Sequence, residues 1–384
     1  MTTYSNRATK VEYPQKQVKV EVYSFFSGLG ILDLGFENAG FHIAFVNEHN
    51  RDFLDSYCAA RSYMHNHSSE QLICDEDVRS FLSNKKWLSF FPHYYERSNR
   101  IVGFIGGPPC PDFSIAGKNA GESGINGQLT TVYISLIRRR LPDFFVLENV
   151  KGLYQTRKHH DYYERMKTLL KKSGYALFDS IENSLCYGVP QFRERLILVG
   201  ILKKRFGTDI DFSIGSHRCY EMDDIKGRSW PTTESFSEGS TRQMPENIIR
   251  ELTVQYWFDR NDVKNHPNAS DTFAIKNRSR YYSVAEGDCR GKSFKRLHRW
   301  RFSPTAAYGN NEVHLHPYLP RRISVSEALA IQSVPKEFCL PSNISLTAKF
   351  KMVGNGVPYL LALGIAKDLY DWINNRLENN QESI

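Results

Sequence analysis

The chain is poor in cysteine: seven in 384 residues, at positions 58, 74, 110, 186, 219, 289 and 339. The count is odd, no two lie within four residues, and there is no Cys-x-x-Cys. That pattern argues against a disulfide framework and a zinc ribbon, and no metal site is expected. Apolar runs are short, and none approaches the roughly 18–20 residues needed to cross a bilayer. Met1 to Lys19 is polar and lacks the apolar stretch of a secretory leader. A cytoplasmic protein with no membrane attachment is the expectation. No internal repeat is visible. A complete Gly-x-Gly-x-x-Gly is also missing, because Asp33 stands where the third glycine would follow Gly28 and Gly30. This argues against a pyrophosphate-bearing dinucleotide.

What is present is the composition of a folded protein, 41% hydrophobic, 13% aromatic and 24% charged. The length suits one large domain with a smaller one beside it. Net charge is +8, and its distribution matters more than its sum. Between Lys264 and Arg301, Arg and Lys crowd together (Arg290, Lys295, Arg296 and Arg299 among them). Within the stretch only Asp271, Glu286 and Asp288 oppose them. Such a run is either a solvated face or a surface for phosphates.

Periodicity divides the chain. Residues 18–26 read as a strand that meets the turn Ser27-Gly28-Leu29-Gly30. Ile31, Leu34, Gly35, Phe36 and Ala39 then recur at helical spacing. Further strands are expected at His42–Asn47, Ile101–Ile105, Phe144–Leu147 and Leu196–Ile201, with helices at Val132–Arg140 and Tyr162–Ser173. Strands alternating with helices imply a doubly wound, mostly parallel α/β sheet of Rossmann-like kind, covered on both faces. After about residue 203 the rhythm breaks, and it returns with helices at Ser324–Gln332 and Pro358–Trp372. The expected organisation is an N-terminal extension at 1–19 and a main domain at 20–203. A smaller irregular domain at 204–320 is followed by a segment at 321–384 that completes the first.

Three segments carry candidate chemistry. Gly106-Gly107-Pro108-Pro109-Cys110-Pro111 surrounds one cysteine with residues that fix the backbone rather than fill a core. Glu148-Asn149-Val150 places an acid at a strand end, as likely a helix cap as a catalyst when taken alone. Gln191-Phe192-Arg193-Glu194-Arg195 sets two arginines on the same side if extended. Glu48, about twenty residues beyond the glycine turn, suits an acceptor for ribose hydroxyls.

Together with Asp77-Val78, Arg322-x-Ser324-x-x-Glu327-Ala328 and Gly354-Asn355-Gly356-Val357-Pro358, these segments in this order resemble the cytosine carbon-5 DNA methyltransferases. Three positions depart from the family's pattern: Ser24 where an aspartate is common, Ile31 where a second glycine is common, and Pro111 for a glutamine. The resemblance implies a fold that binds S-adenosylmethionine, a cofactor needing no phosphate cradle. It assigns Cys110 as nucleophile at carbon 6, Glu148 as acid at ring nitrogen 3, Arg195 at the exocyclic oxygen and Arg193 as support. Phe26, Gly28, Gly30, Glu48, Asp77, Val78, Pro108, Asn355 and Val357 would bind the cofactor. The 204–320 domain would recognise double-stranded DNA, with Ser114, Gln191, Arg299, Arg301, Tyr308 and Asn310 as contacts. The target base would be flipped from the duplex. The implied role is a monomeric enzyme protecting host DNA from a cognate restriction endonuclease, a functional rather than physical partner. The rival expectation is a transfer-RNA methyltransferase built from the same motifs.

Overall fold

The computed structural model describes residues 18–64, 71–97, 99–109, 125–274, 278–291, 294–306, 308 and 314–381. Seven strands form one sheet: β1 (Lys19–Phe25), β2 (His42–Asn47), β3 (Leu72–Cys74), β4 (Arg100–Gly106), β5 (Phe144–Val150), β6 (Tyr175–Asn183) and β7 (Glu194–Leu202). Their order across the sheet is β3-β2-β1-β4-β5-β7-β6. The first five strands pair in parallel, and β7 runs antiparallel to both β5 and β6. That reversal brings the start of β7 beside the carboxyl end of β5, with Val150 opposite Arg195.

Both faces of the sheet are buried, so the strands read as continuous apolar runs rather than as alternating ones. Along β5, Phe145 and Leu147 enter one core, while Phe144 and Val146 enter the other. The first face is covered by helices α3 (Asn84–Phe90), α4 (Ile125–Arg140) and Arg157–Lys172. The second carries α1 (Ile31–Ala39), α2 (Arg51–Tyr63) and the last helix, Tyr359–Gln381. That last helix lies along α1, and Asn38 donates to the Tyr359 hydroxyl at 2.8 Å.

A third core joins what the sequence separates. Val254, Trp257, Phe258 and Leu297 pack with Val325, Leu329, Phe350 and Val353, and the whole rests on Leu29, Ile31 and Leu34. The insert itself has little regular structure among the described residues: the short helices Met222–Lys226, Val254–Arg260 and Arg278–Ser283, a 3-10 turn at Arg250–Leu252, and two-residue strands at Lys295–Arg296 and His314–Leu315. Where ladders are missing, buried arginines satisfy the backbone. Arg296 donates to the carbonyls of Val284 (2.7 Å), His316 and Leu319 (3.0 Å), and to that of Tyr281. Among the described residues no helix is long and apolar enough to cross a membrane, and no group of three or more His, Cys, Asp or Glu could hold a metal.

Candidate active site

The carboxyl ends of the parallel strands open into a cleft of about 2280 Å3. Sheets of this kind bind ligands at that edge. The glycine turn after β1, Glu48 after β2, Gly107–Pro109 after β4 and Glu148 in β5 all line it. So do Arg195 at the start of β7 and Gly354–Val357 from the far end of the chain. Residues remote in sequence thus meet in one space. Cys110 and Ser114, like Asn310, lie outside the described residues.

Glu148 is 8% exposed, and Arg195 Nε stands 3.0 Å from its Oε1. Burial pushes its carboxyl above the ordinary carboxylate range, while Arg195 and Arg193 restrain the rise. The shift is in the direction that a proton-donating carboxyl needs. Gly107 lies beside it: a Cβ there would sit 3.0 Å from Glu148 Oε2. The Pro108–Pro109 segment leading into Cys110 therefore starts next to the acid.

Arg193 is placed differently from Arg195. It is 2% exposed and donates to the carbonyls of Ala306 (3.0 Å), Gly354 (3.0 Å) and Gly356 (3.1 Å). One guanidinium thereby ties β7 to the insert and to the C-terminal loop. Burial, and the like charge of Arg195, pull it well below the usual arginine range.

On the cofactor side, Glu48 Oε2 accepts from Gly28 N at 2.9 Å and its Oε1 accepts from Asn50 N at 2.8 Å. The carboxylate is fixed by backbone and retains lone pairs for further donors such as hydroxyls. Gly30 adopts φ +77°, and a Cβ there would strike the Tyr57 ring at 2.3 Å, so only glycine fits this turn. Phe26, at φ 55°, meets Tyr133 edge-on. Asp77 is tied to Arg79 by backbone (2.8 Å) and side-chain (2.9 Å) hydrogen bonds, and Val78 is buried. Asn355 is exposed, and Val357 is buried with Gly356 against Ile31.

A buried ionic group behind this turn was not foreseen from sequence. Ser24 Oγ donates to Asp33 Oδ1 at 2.8 Å, and Arg61 donates to Glu37 Oε2 at 2.6 Å and to Gly30 O at 3.0 Å. Burial raises Asp33 to about 6 and Glu37 to about 7, against the pull of Arg61. The helical spacing of Gly30, Asp33 and Glu37 was a signal for it, but their partner Arg61 is on another helix.

The expected DNA contacts divide. Arg301 lines the cleft and is half-buried, donating to Pro231 O at 3.3 Å. Tyr308 also lines it, buried edge-on against Phe350. Gln191 and Arg299 turn inward. Gln191 is fully buried, donates to Gln332 Oε1 at 3.1 Å and accepts from Ala306 N at 2.9 Å. Arg299 is 4% exposed and grips Glu286 through Nε (2.8 Å) and Nη2 (2.9 Å). Neither side chain is presented to a ligand, because each is already satisfied by protein. The structure instead brings to the rim Thr232 and Thr233, which no local motif marked, together with Lys295 of the basic run.

A family model described as C-5 cytosine-specific DNA methylase matches residues 20–371. The Type II methyltransferase M.NmeDI of Neisseria meningitidis serogroup C is 50% identical over 96% of this chain and 87% of its own length. The Type II methyltransferase M.FnuDI of Fusobacterium nucleatum is 28% identical over 94% of this chain and 98% of itself. Among solved structures, a prophage-encoded E. coli protein assigned as a DNA modification methyltransferase superposes with a TM-score of 0.62. Its identity is 23%, with 93% of this chain and 100% of that chain covered, a likeness of fold.

Proposed function

Because the chain belongs to the C-5 cytosine-specific DNA methylase family, we propose that the Glu148–Arg195 pair at the cleft activates cytosine for attack by Cys110. The chain methylates carbon 5 of cytosine in DNA, as a transferase of the Type II restriction-modification kind, with S-adenosylmethionine as cofactor. Its residues fit that cofactor: a backbone-held carboxylate at Glu48, glycine at the close approach, and no phosphate cradle. When bound, S-adenosylmethionine supplies an electrophilic methyl group.

The chain's own residues do the rest. Carbon 5 of cytosine is a weak nucleophile, so a thiolate at Cys110 adds to carbon 6 and drives electrons toward nitrogen 3 and carbon 5. Glu148 donates its proton toward nitrogen 3, and Arg195 holds the exocyclic oxygen. After methylation, carbon 5 gives up its proton to solvent, the Cys110–carbon 6 bond breaks and returns the thiolate, and nitrogen 3 hands its proton back to Glu148. Arg193 is a positioning residue: its three carbonyl contacts keep Arg195 in register with the C-terminal loop. Phe26, Gly28, Gly30, Glu48, Asp77, Val78, Pro108, Asn355 and Val357 form the cofactor wall. Residues 204–320 form the target-recognition domain, 20–203 and 321–384 the catalytic body, and Arg301 and Tyr308 approach DNA.

The observation that carries this reading is the 3.0 Å contact of a buried Glu148 with Arg195, beside Gly107 at the cleft. Alignment with a Type II methyltransferase over 96% of the chain favours DNA over transfer RNA. A monomer acting in the cytoplasm beside a cognate nuclease completes the proposal. The test is trapping on duplex DNA containing 5-fluorocytosine, with wild type against Cys110→Ser. Fluorine cannot leave as a cation, so wild type should stall as an adduct that survives denaturation, and the variant should not. An adduct of equal yield in both would remove Cys110 from its role.

A further inference from the structure

Arg299 stands in the densest part of the basic run, yet the fold turns it inward. It belongs to a clamp in which Arg299, Glu286 and His298 are buried and Glu234 and Arg242 are half-buried. Glu234 and Glu286 exchange backbone hydrogen bonds, Glu234 N to Glu286 O at 2.9 Å and Glu286 N to Glu234 O at 2.8 Å. Arg299 holds the Glu286 carboxylate from one side, and Arg242 Nε approaches it at 3.3 Å. Arg242 also pairs with Glu234, whose other oxygen lies 3.2 Å from His298 Nε2. Two turns distant in sequence are thereby fastened together.

The clamp fixes Pro231–Thr233 against Gly287. A Cβ on Gly287 would lie 2.2 Å from Thr232 O, and its φ is +85°, so only glycine allows this approach. The result is a stiff turn whose tip, Thr232 and Thr233, is exposed and lines the same cleft as Glu148 and Arg195. Among the described residues neither threonine hydroxyl is engaged by protein. A threonine offers a donor, an acceptor and a methyl group to base edges, whereas rim cations such as Lys295 and Arg301 suit phosphates without reading sequence. Readout also needs a side chain on a backbone that does not yield, which the clamp supplies.

We infer that the Thr232–Thr233 turn reads base pairs flanking the target cytosine, and that Arg299 acts behind it as support. This rests on the methyltransferase reading above. Wild-type enzyme is first run on unmethylated phage lambda DNA, and bisulfite sequencing maps the methylated motif. Absence of any methylated motif would sink the methyltransferase reading itself, and this inference with it. Competition binding then compares a duplex carrying the motif with a scrambled duplex, for wild type and Thr232→Ala/Thr233→Ala. Both positions are exposed, so the thermal melt and S-adenosylmethionine affinity should stay at wild-type values. The preference for the motif duplex should fall on the order of ten- to a hundredfold, by weaker binding to that duplex alone. An unchanged preference overturns the inference, and so does equal weakening on both duplexes, which would make the threonines mere backbone anchors.

Discussion

The sheet and the insert solve the same problem in opposite ways. In the sheet, strand ladders satisfy the backbone and apolar side chains fill both faces, as Leu198 and Val199 do on β7. In the insert, ladders are two residues long, and buried Arg296 and Arg299 take their place. A ladder is legible as periodicity; an arginine that caps four carbonyls looks in sequence like an exposed charge. The contrast teaches that a basic stretch can be an internal scaffold as well as a nucleic-acid surface.

The largest effect that would break this comparison is on stability. Arg299→Met strips buried Glu286 of its two-pronged partner and leaves only Arg242, at 3.3 Å, to offset the charge, and should cost about 3 kcal/mol in urea denaturation. Leu198→Ala in the sheet should cost about 2–5 kcal/mol through a cavity. Adding Glu286→Leu to Arg299→Met should recover much of the first loss, because it removes the poorly compensated buried carboxylate while Arg242 keeps Glu234. A near-neutral Arg299→Met would show that the insert does not depend on its charges.

Next comes chemistry at the seam of the two regions. Glu148→Gln should reduce kcat roughly 10²–10⁴-fold, with cofactor affinity unchanged. Because burial raises the Glu148 carboxyl, its donating form persists above the ordinary carboxylate range and is lost as pH rises through its folded value. The alkaline fall of kcat in wild type should include that loss, and the glutamine variant should lack it. A glutamine variant as active as wild type would leave the acid without a task.

Within the sheet, Glu48→Ala should weaken S-adenosylmethionine by about tenfold, the 1.4 kcal/mol of a single hydrogen-bond set. Calorimetry that shows wild-type affinity would place the ribose elsewhere.

The smallest effect concerns the ionic group behind the glycine turn. Asp33 and Glu37 titrate near 6 and 7 when folded, above their unfolded values near 4. Stability from each is therefore complete below about pH 4 and lost as pH rises through 6 to 7. Asp33→Asn should flatten the decline of Tm between pH 5 and 8. An unaltered slope would mean that Asp33 does not titrate in this range.

Much of the catalytic half was legible. The strand at His42–Asn47 has the bounds that its pattern implied, and Glu148 sits at the strand end where the motif put it. Helix α2 was not anticipated: Leu54, Tyr57 and Ala60 make a narrow buried stripe, masked by Asp55 within it and by Arg51, Asp52 and Arg61 at its ends. Strand β6 escaped because most of its residues are only partly buried at the sheet edge, which blurs the alternation. Gln191 was expected at DNA from the family resemblance and Arg299 from its basic surroundings; their partners, Gln332 and Glu286, are not set by neighbouring residues.

By itself, then, the amino-acid order determined the strand–helix rhythm and the identity of Glu148, Arg195 and Glu48, because these depend on local period and motif. Tertiary structure alone decided which arginines face the cleft and which brace the insert. That choice depends on where opposing carboxylates and carbonyls arrive, and long-range packing sets those meetings rather than neighbouring residues.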